Sequence, residues 1–272
     1  DLSILAKTHK PKMILAWFSS YPRDLDYAKF AEIAKSVDAI PYADVCHIGG
    51  LIAGGVVKNP CAYWFPVMMT TSHKSLRWPR WAIILSQWKV WNPLKKHAPT
   101  RENIPTTIDR SVFPWVQWWP HMHTIAWLAK ALEEAQSKDF KDYTQNILYN
   151  AKTLANEMID KWYKLVTWWT DNHMIVLDFA EENFNWKDIE KILDEVSIST
   201  SKSPIPDDTA PPFQPSGLRI GMQAMTTRGV TMNDTKKIAQ FIDMAIRNRN
   251  DKKVLGKIKN DVKHFCIQFP LP

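Results

Sequence analysis

An α/β fold is what this sequence predicts, with a mainly parallel sheet in the first part and a smaller α+β domain in the second. Three observations carry that reading. Short apolar runs alternate with helical periodicity up to about residue 85, a Pro-, Thr- and charge-rich stretch fills 92–120, and a different helix and strand order begins near residue 134. The expected domains are therefore 1–133 and 134–272.

The first strand is the apolar run Lys12 to Phe18, closed off by Ser19, Ser20 and Pro22. Asp26 is placed to cap the next helix, in which Tyr27, Phe30, Ala31, Ile33 and Ala34 recur at helical spacing up to Val37. Strands follow at 40–44, ending in Asp44, then at 67–71 and 81–85, with Ser72, His73 and Lys74 leaving the second of these. The stretch 92–120 reads as an extended loop and 121–136 as a connecting helix. Beyond it the pattern predicts a helix (140–162), strands (164–167 and 174–179), a helix (187–196), a strand (218–222) and two final helices. There is no internal repeat or low-complexity tract.

Composition narrows the classes. At 45% hydrophobic and 23% charged, the 272 residues can bury a core, which excludes a disordered chain. No apolar run reaches the roughly 18–20 residues of a membrane span, and the start lacks a signal-peptide pattern. Cys46, Cys61 and Cys266 are scattered and odd in number, so neither a disulfide framework nor a cysteine zinc site is expected, and a cytoplasmic protein fits best. The net charge of +7 is dispersed along the chain, which suits a phosphate-bearing small ligand as well as nucleic acid.

The candidate chemistry sits where parallel strands end, the usual ligand-binding edge of such sheets. Lys74 carries an amine that can form a Schiff base with a carbonyl cofactor, and the Asp44 carboxylate can pair with a protonated pyridine nitrogen. His47 is placed near a cofactor ring. Arg219 opens a short strand and has the planar fork that grips a carboxylate. His121 and His123, two apart at a helix start, would diverge and are not expected to hold a metal.

Six segments in one order, YADVCHIGGLIAGG (42–55), TTSHKSLRWPRW (70–81), FPWVQWWPHMH (113–123), TDNH (170–173), PSGLRIG (215–221) and TTRG (226–229), make the chain resemble serine hydroxymethyltransferases along its whole length. The resemblance implies the pyridoxal-phosphate-dependent transferase fold type I. It also implies reversible transfer of the serine hydroxymethyl group to tetrahydrofolate, giving glycine and 5,10-methylenetetrahydrofolate. Lys74 becomes the Schiff-base lysine and Asp44 the partner of the pyridinium nitrogen. His47 and Ser19 lie against the cofactor, Thr71 and His73 neighbour the lysine, Arg80 supports the site and Arg219 holds the substrate carboxylate. Trp118 and Trp119 match a loop that approaches the cofactor phosphate of a neighbouring subunit, so a homodimer with shared sites is implied.

Two departures accompany it. The resemblance begins inside the family's large domain, so the chain reads as a fragment expected to be inactive alone, and Ser201 and Ser203 stand where many members have Asn near the pterin site. The alternatives are a folate-independent aldolase of β-hydroxy amino acids and an inactive paralogue serving as an interaction module. Nucleic-acid stacking by a Trp-rich basic surface is disfavoured, because these aromatics coincide with turns and loops.

Glycine and tryptophan usage is abnormal. The chain has 8 Gly and 14 Trp, 22 together, and about 8% of 272 residues is close to what glycine alone with a little tryptophan normally makes up. The resemblance places Trp17, Trp78, Trp81, Trp115, Trp118, Trp119, Trp127, Trp162, Trp168, Trp169 and Trp186 on family glycines, 11 of the 14. One repeated replacement implies a codon, UGA, that is read as glycine in the source organism and spelled here as tryptophan.

Overall fold

Alternating small and branched apolar residues favour extended backbone in the first part of the chain. They form β1 (Met13–Trp17), β2 (Ile40–Asp44) and β3 (Val67–Thr71) in a computed structural model that describes residues 1–17, 19–87, 104–181, 189–211 and 213–271. These three strands are parallel, with Trp17 opposite Asp44 and Asp44 opposite Met69. β4 (Ala82–Ser86) closes the four-stranded order β1-β2-β3-β4 but runs antiparallel to β3, Thr71 facing Ala82. The connection 72–81 is shorter than the dozen or so residues a parallel crossover requires, so β4 returns as a hairpin.

Helices cover this sheet. α1 (Leu2–His9), not expected from the sequence, ends at Lys10 in a left-handed conformation and sets Ala6 against Ile14, Ile33, Ala34 and Ala39. α2 (Tyr27–Ser36) is capped by Asp26, whose side chain accepts from the Lys29 N–H at 3.0 Å. α3 (Gly49–Ala53) and a 3-10 turn (Pro60–Tyr63) lie between β2 and β3. α4 (Ile104–Val112) corrects part of the expected loop 92–120, and α5 (Met122–Glu134) is the expected connecting helix.

The chain divides into two compact units, one of residues 1–19 and 24–141, the other of 20–23 and 142–272, so that α6 (Lys138–Asp160) begins in the first and continues in the second. The second unit is built on an antiparallel sheet ordered β5-β7-β6, from β5 (Met174–Asp178), β6 (Ser201–Ser203) and β7 (Gly217–Gly221). The strand expected at 164–167 is reduced to one bridge, Leu165 to Leu177, because Thr167 and Trp168 turn to positive φ and end the pairing. β6 and the short α8 (Gln223–Thr227) are additional to the sequence reading.

α7 (Ile189–Glu195), α9 (Met232–Arg247) and α10 (Lys252–Ile267) complete this unit. Its core joins Leu154, Met158, Ile175, Leu177, Leu193, Ile242 and Ile258, all fully buried. α9 starts with a reciprocal capping box between Thr231 and Asp234, and Asp251 caps α10. Asn150 of α6 donates to Thr226 Oγ1 and to the Val230 carbonyl at 2.9 and 2.8 Å, and Arg228 donates to the carbonyls of Phe269 and Cys266. The TTRG segment is thereby a structural clasp between α6 and the end of α10.

Candidate active site

Parallel register brings the ends of β1, β2 and β3 to one edge of the sheet. Asp44 closes β2 there, half-buried, and its Oδ1 accepts from the Cys46 N–H at 3.0 Å, which turns the chain sharply towards His47 and α3. Val45 donates its N–H to the Met69 carbonyl, extending the β2 to β3 pairing one step past the strand. Thr71 ends β3 and its Oγ1 reaches the Cys46 carbonyl at 3.5 Å. Ser19, half-buried, lies two residues beyond β1 at the same edge.

Lys74 rides on the hairpin loop between β3 and β4. That loop is closed by hydrogen bonds from the Ser72 N–H to the Trp81 carbonyl at 3.0 Å, from Trp78 N–H to the Ser72 carbonyl at 2.9 Å and from Arg77 N–H to the Lys74 carbonyl at 2.9 Å. The buried Ser72 hydroxyl adds bonds to the carbonyls of Pro79 and Trp81. α3 clamps the loop from the side: the Gly50 N–H donates to Ser75 Oγ at 2.8 Å, and a Cβ at Gly50 would stand 2.5 Å from the Ser75 carbonyl carbon. Gly49 likewise leaves no room for a side chain beside Thr70. Glycines here let α3 approach the backbone next to Lys74 and fix its position.

The electrostatics at this edge are coupled. Burial, then the Arg80 and Lys74 cations, push the His73 pKa below its ordinary value, and its Nδ1 is buried without a hydrogen-bond partner. Burial and the Asp44 carboxylate push the Cys46 thiol up to about 11, while Thr71 and Lys74 pull the other way. Cys46 thus responds to both Asp44 and Lys74, which places the two charges around one buried thiol. Burial also raises Tyr42, with Asp44 adding to it.

The structure therefore brings Asp44, Thr71, His73 and Lys74 to one edge, with His47 half-buried at the turn into α3 and Arg80 exposed on the Lys74 loop. Trp118 and Trp119 stand shortly before α5, 59% and 73% exposed. In the second unit Arg219 occupies the central strand β7, opposite Val176 and Ser201, with Nη1 donating to Ser20 Oγ at 3.2 Å. Burial lowers its pKa. Ser201 and Ser203 both fall on β6, directly across from β7.

Sequence reasoning missed three contributors. Cys46 packs its Sγ 3.3 Å from Met69 Sδ beneath the edge, and Ser75 anchors the lysine loop. Asp208 organises the approach to β7, accepting from the N–H groups of Ile205, Ala210 and Ser216 and from the Ser216 hydroxyl. The paired glycines at 49–50 were the available signal for Ser75.

The residues present fit a pyridoxal phosphate group: an amine for its aldehyde, a carboxylate for its ring nitrogen and a buried imidazole nitrogen with no protein partner. Together with a mainly parallel sheet and its helices, this defines a pyridoxal-phosphate-dependent protein of fold type I. A family model of serine hydroxymethyltransferase matches residues 1–242, and the chain belongs to that family. Among the described residues no helix is long and apolar enough to cross a membrane, and no group of His, Cys, Asp or Glu is disposed to hold a metal ion.

Proposed function

We propose that the protein catalyses the reversible transfer of the serine hydroxymethyl group to tetrahydrofolate. The observation that carries this reading is the presence, at one sheet edge, of the Asp44 carboxylate and a lysine loop clamped by Gly50 and Ser75, in a member of this family. When bound, pyridoxal phosphate supplies an electron sink conjugated to the substrate α-carbon. Lys74 would hold the cofactor aldehyde through its amine, and Asp44 would keep a proton on the ring nitrogen. Arg219, partly stripped of water, binds the substrate carboxylate through paired N–H donors. His73, kept neutral, offers Nδ1 for hydrogen bonding without adding positive charge beside Lys74.

A homodimer as the working form is supported by Phe113, Val116, Met122 and Ile125, apolar residues exposed on one stretch of the first unit. A cytoplasmic setting is supported by three free cysteines. The test is glycine formation from serine by the purified holoprotein with and without tetrahydrofolate, beside Lys74→Ala. Dependence on both folate and Lys74 is expected. Equal rates without folate replace this reading with the aldolase one, and cofactor-loaded protein that forms no glycine with or without folate replaces it with an interaction module.

A further inference from the structure

Three tryptophans occupy backbone that L side chains rarely adopt. Trp64, Trp162 and Trp168 have φ of 66°, 71° and 57°, whereas only Gly55 and Gly229 among the described glycines do so. A few per cent of non-glycine residues lie there, and for a bulky side chain it is a genuine outlier. Three among the 11 described tryptophans is far above that rate.

The local motifs name the residue that belongs at these positions. α6 ends with Trp162 N–H bonded to the Ile159 carbonyl at 2.8 Å and Tyr163 N–H to the Met158 carbonyl at 3.0 Å. That is the Schellman pattern with Trp162 at C′, the position glycine occupies in most such endings. Thr167 and Trp168 are successive left-handed residues, a pair whose usual second member is glycine. Trp64 ends the 3-10 turn in the left-handed region.

Nor do the indoles repay the strain by packing. Trp64, Trp162 and Trp168 are 84%, 91% and 79% exposed, although tryptophan is highly buried on average. Trp64 also lines a cavity of about 640 Å³ beside α2, so that cavity owes a side to a largely exposed indole.

We propose that the functional polypeptide carries glycine at Trp64, Trp162 and Trp168, and by the same substitution at the other tryptophans that the sequence resemblance places on family glycines. Trp64 is a position the sequence resemblance did not single out, and backbone geometry alone assigns it. The consequence reaches the lysine loop. Trp78 meets Trp127 with centroids 5.9 Å apart, and Trp81 meets His121 at 5.6 Å, so two indoles of the Lys74 hairpin lie against α5 and the residue that precedes it. With glycine there, the loop keeps its backbone hydrogen bonds and loses both ring contacts.

The experiment is mass spectrometry of tryptic peptides of the protein purified from the organism that encodes it. Asn59–Lys74 reports on Trp64, Leu165–Lys187 on Trp168, and Ser111–Lys130 on Trp115, Trp118, Trp119 and Trp127. Each is expected to be lighter by one indole-bearing side chain, replaced by hydrogen, per position. A tryptophan mass at Trp64 or Trp168 overturns the proposal, and because the readout is a mass it stands or falls separately from catalytic activity. A second measurement compares the chain as spelled with Trp162→Gly and Trp162→Ala. Glycine is expected to give the higher unfolding midpoint of the two variants and to match or exceed tryptophan; alanine equal to or above glycine overturns it.

Discussion

Substituting alanine at Gly50 sets two opposing effects against each other in one atom. Helix propensity favours alanine in α3 by about 1 kcal/mol. Against it, the new Cβ would lie 2.5 Å from the Ser75 carbonyl carbon and 2.9 Å from Ser75 Cβ, both rigidly attached to the loop that carries Lys74. Overpacking of this kind costs about 1–3 kcal/mol, and with backbone as the obstacle the upper part of that range applies. Gly50→Ala is therefore expected to lose about 1–2 kcal/mol net, combining the two magnitudes above. Gly256→Ala is the matched control, since a Cβ there meets nothing within 4 Å on an exposed turn of α10, and it is expected to gain about 0.5–1 kcal/mol. Urea unfolding followed by circular dichroism reads both. Because the clash moves Ser75, pyridoxal phosphate affinity should also fall about tenfold for each 1.4 kcal/mol transmitted to the loop, measured by titration at equilibrium. A Gly50→Ala midpoint at or above that of the parent, or a Gly256→Ala midpoint below it, refutes the reasoning.

Other outcomes follow from the same geometry. His73 has a folded-state pKa below its ordinary 6.5, so the unfolded chain binds more protons in that window and stability falls as pH drops below about 6.5; His73→Gln should flatten that slope in urea titrations at several pH values. Burial works against the Asp208 carboxylate, but the hydrogen bonds from Ser216, Ala210 and Ile205 outweigh it and hold its pKa below 3.8, so its stabilisation is present above 3.8 and lost in stronger acid. Asp208→Asn should thus be less stable than the parent at neutral pH, and the gap should close on acidification. Arg219→Lys, which gives up the planar fork, should raise the KM for serine about tenfold or more in steady-state assays. Thr231→Ala, which removes half of the α9 capping box, should cost about 1 kcal/mol in the same unfolding experiment.

Legibility in the sequence tracked how local each cause was. β1, β2 and β3 were readable because each is a short apolar run with turn residues at its ends, and the α2 cap because Asp26 stands directly before the helical period. α1 was hidden, since Ala6 is its one buried residue and the exposed Ile4 and Leu5 blur its stripe. α4 reads as loop because its segment is rich in Pro, Thr and charge, although Pro105 falls in the first helical turn, where proline is well tolerated. β6 has the sequence Ser-Lys-Ser and exists because β7 offers it hydrogen-bonding groups, a tertiary cause no pattern announces. In the site, Asp44 and Lys74 could be placed from strand ends alone. The Gly50 to Ser75 clamp and the Asp208 loop could not, because each needs the folded chain to bring its partners together. Phe18 and Trp186 lie outside the described residues.

The ties that hold Lys74 and Arg219, each within its own unit, differ greatly in reach. Those around Lys74 link residues 9 or 25 apart in sequence, Ser72 to Trp81 and Gly50 to Ser75, whereas Arg219 meets Ser20 across 199. Short loops close at small entropic cost, and a chain emerging from the ribosome folds its earlier part first. The lysine hairpin and its α3 clamp can form while β7 is still unsynthesised. Ser20 to Arg23, by contrast, must wait for Asn172, Asp171 and Arg219, their partners in the later half, before they are held. On the ribosome, the lysine precedes the arginine by more residues than either unit contains.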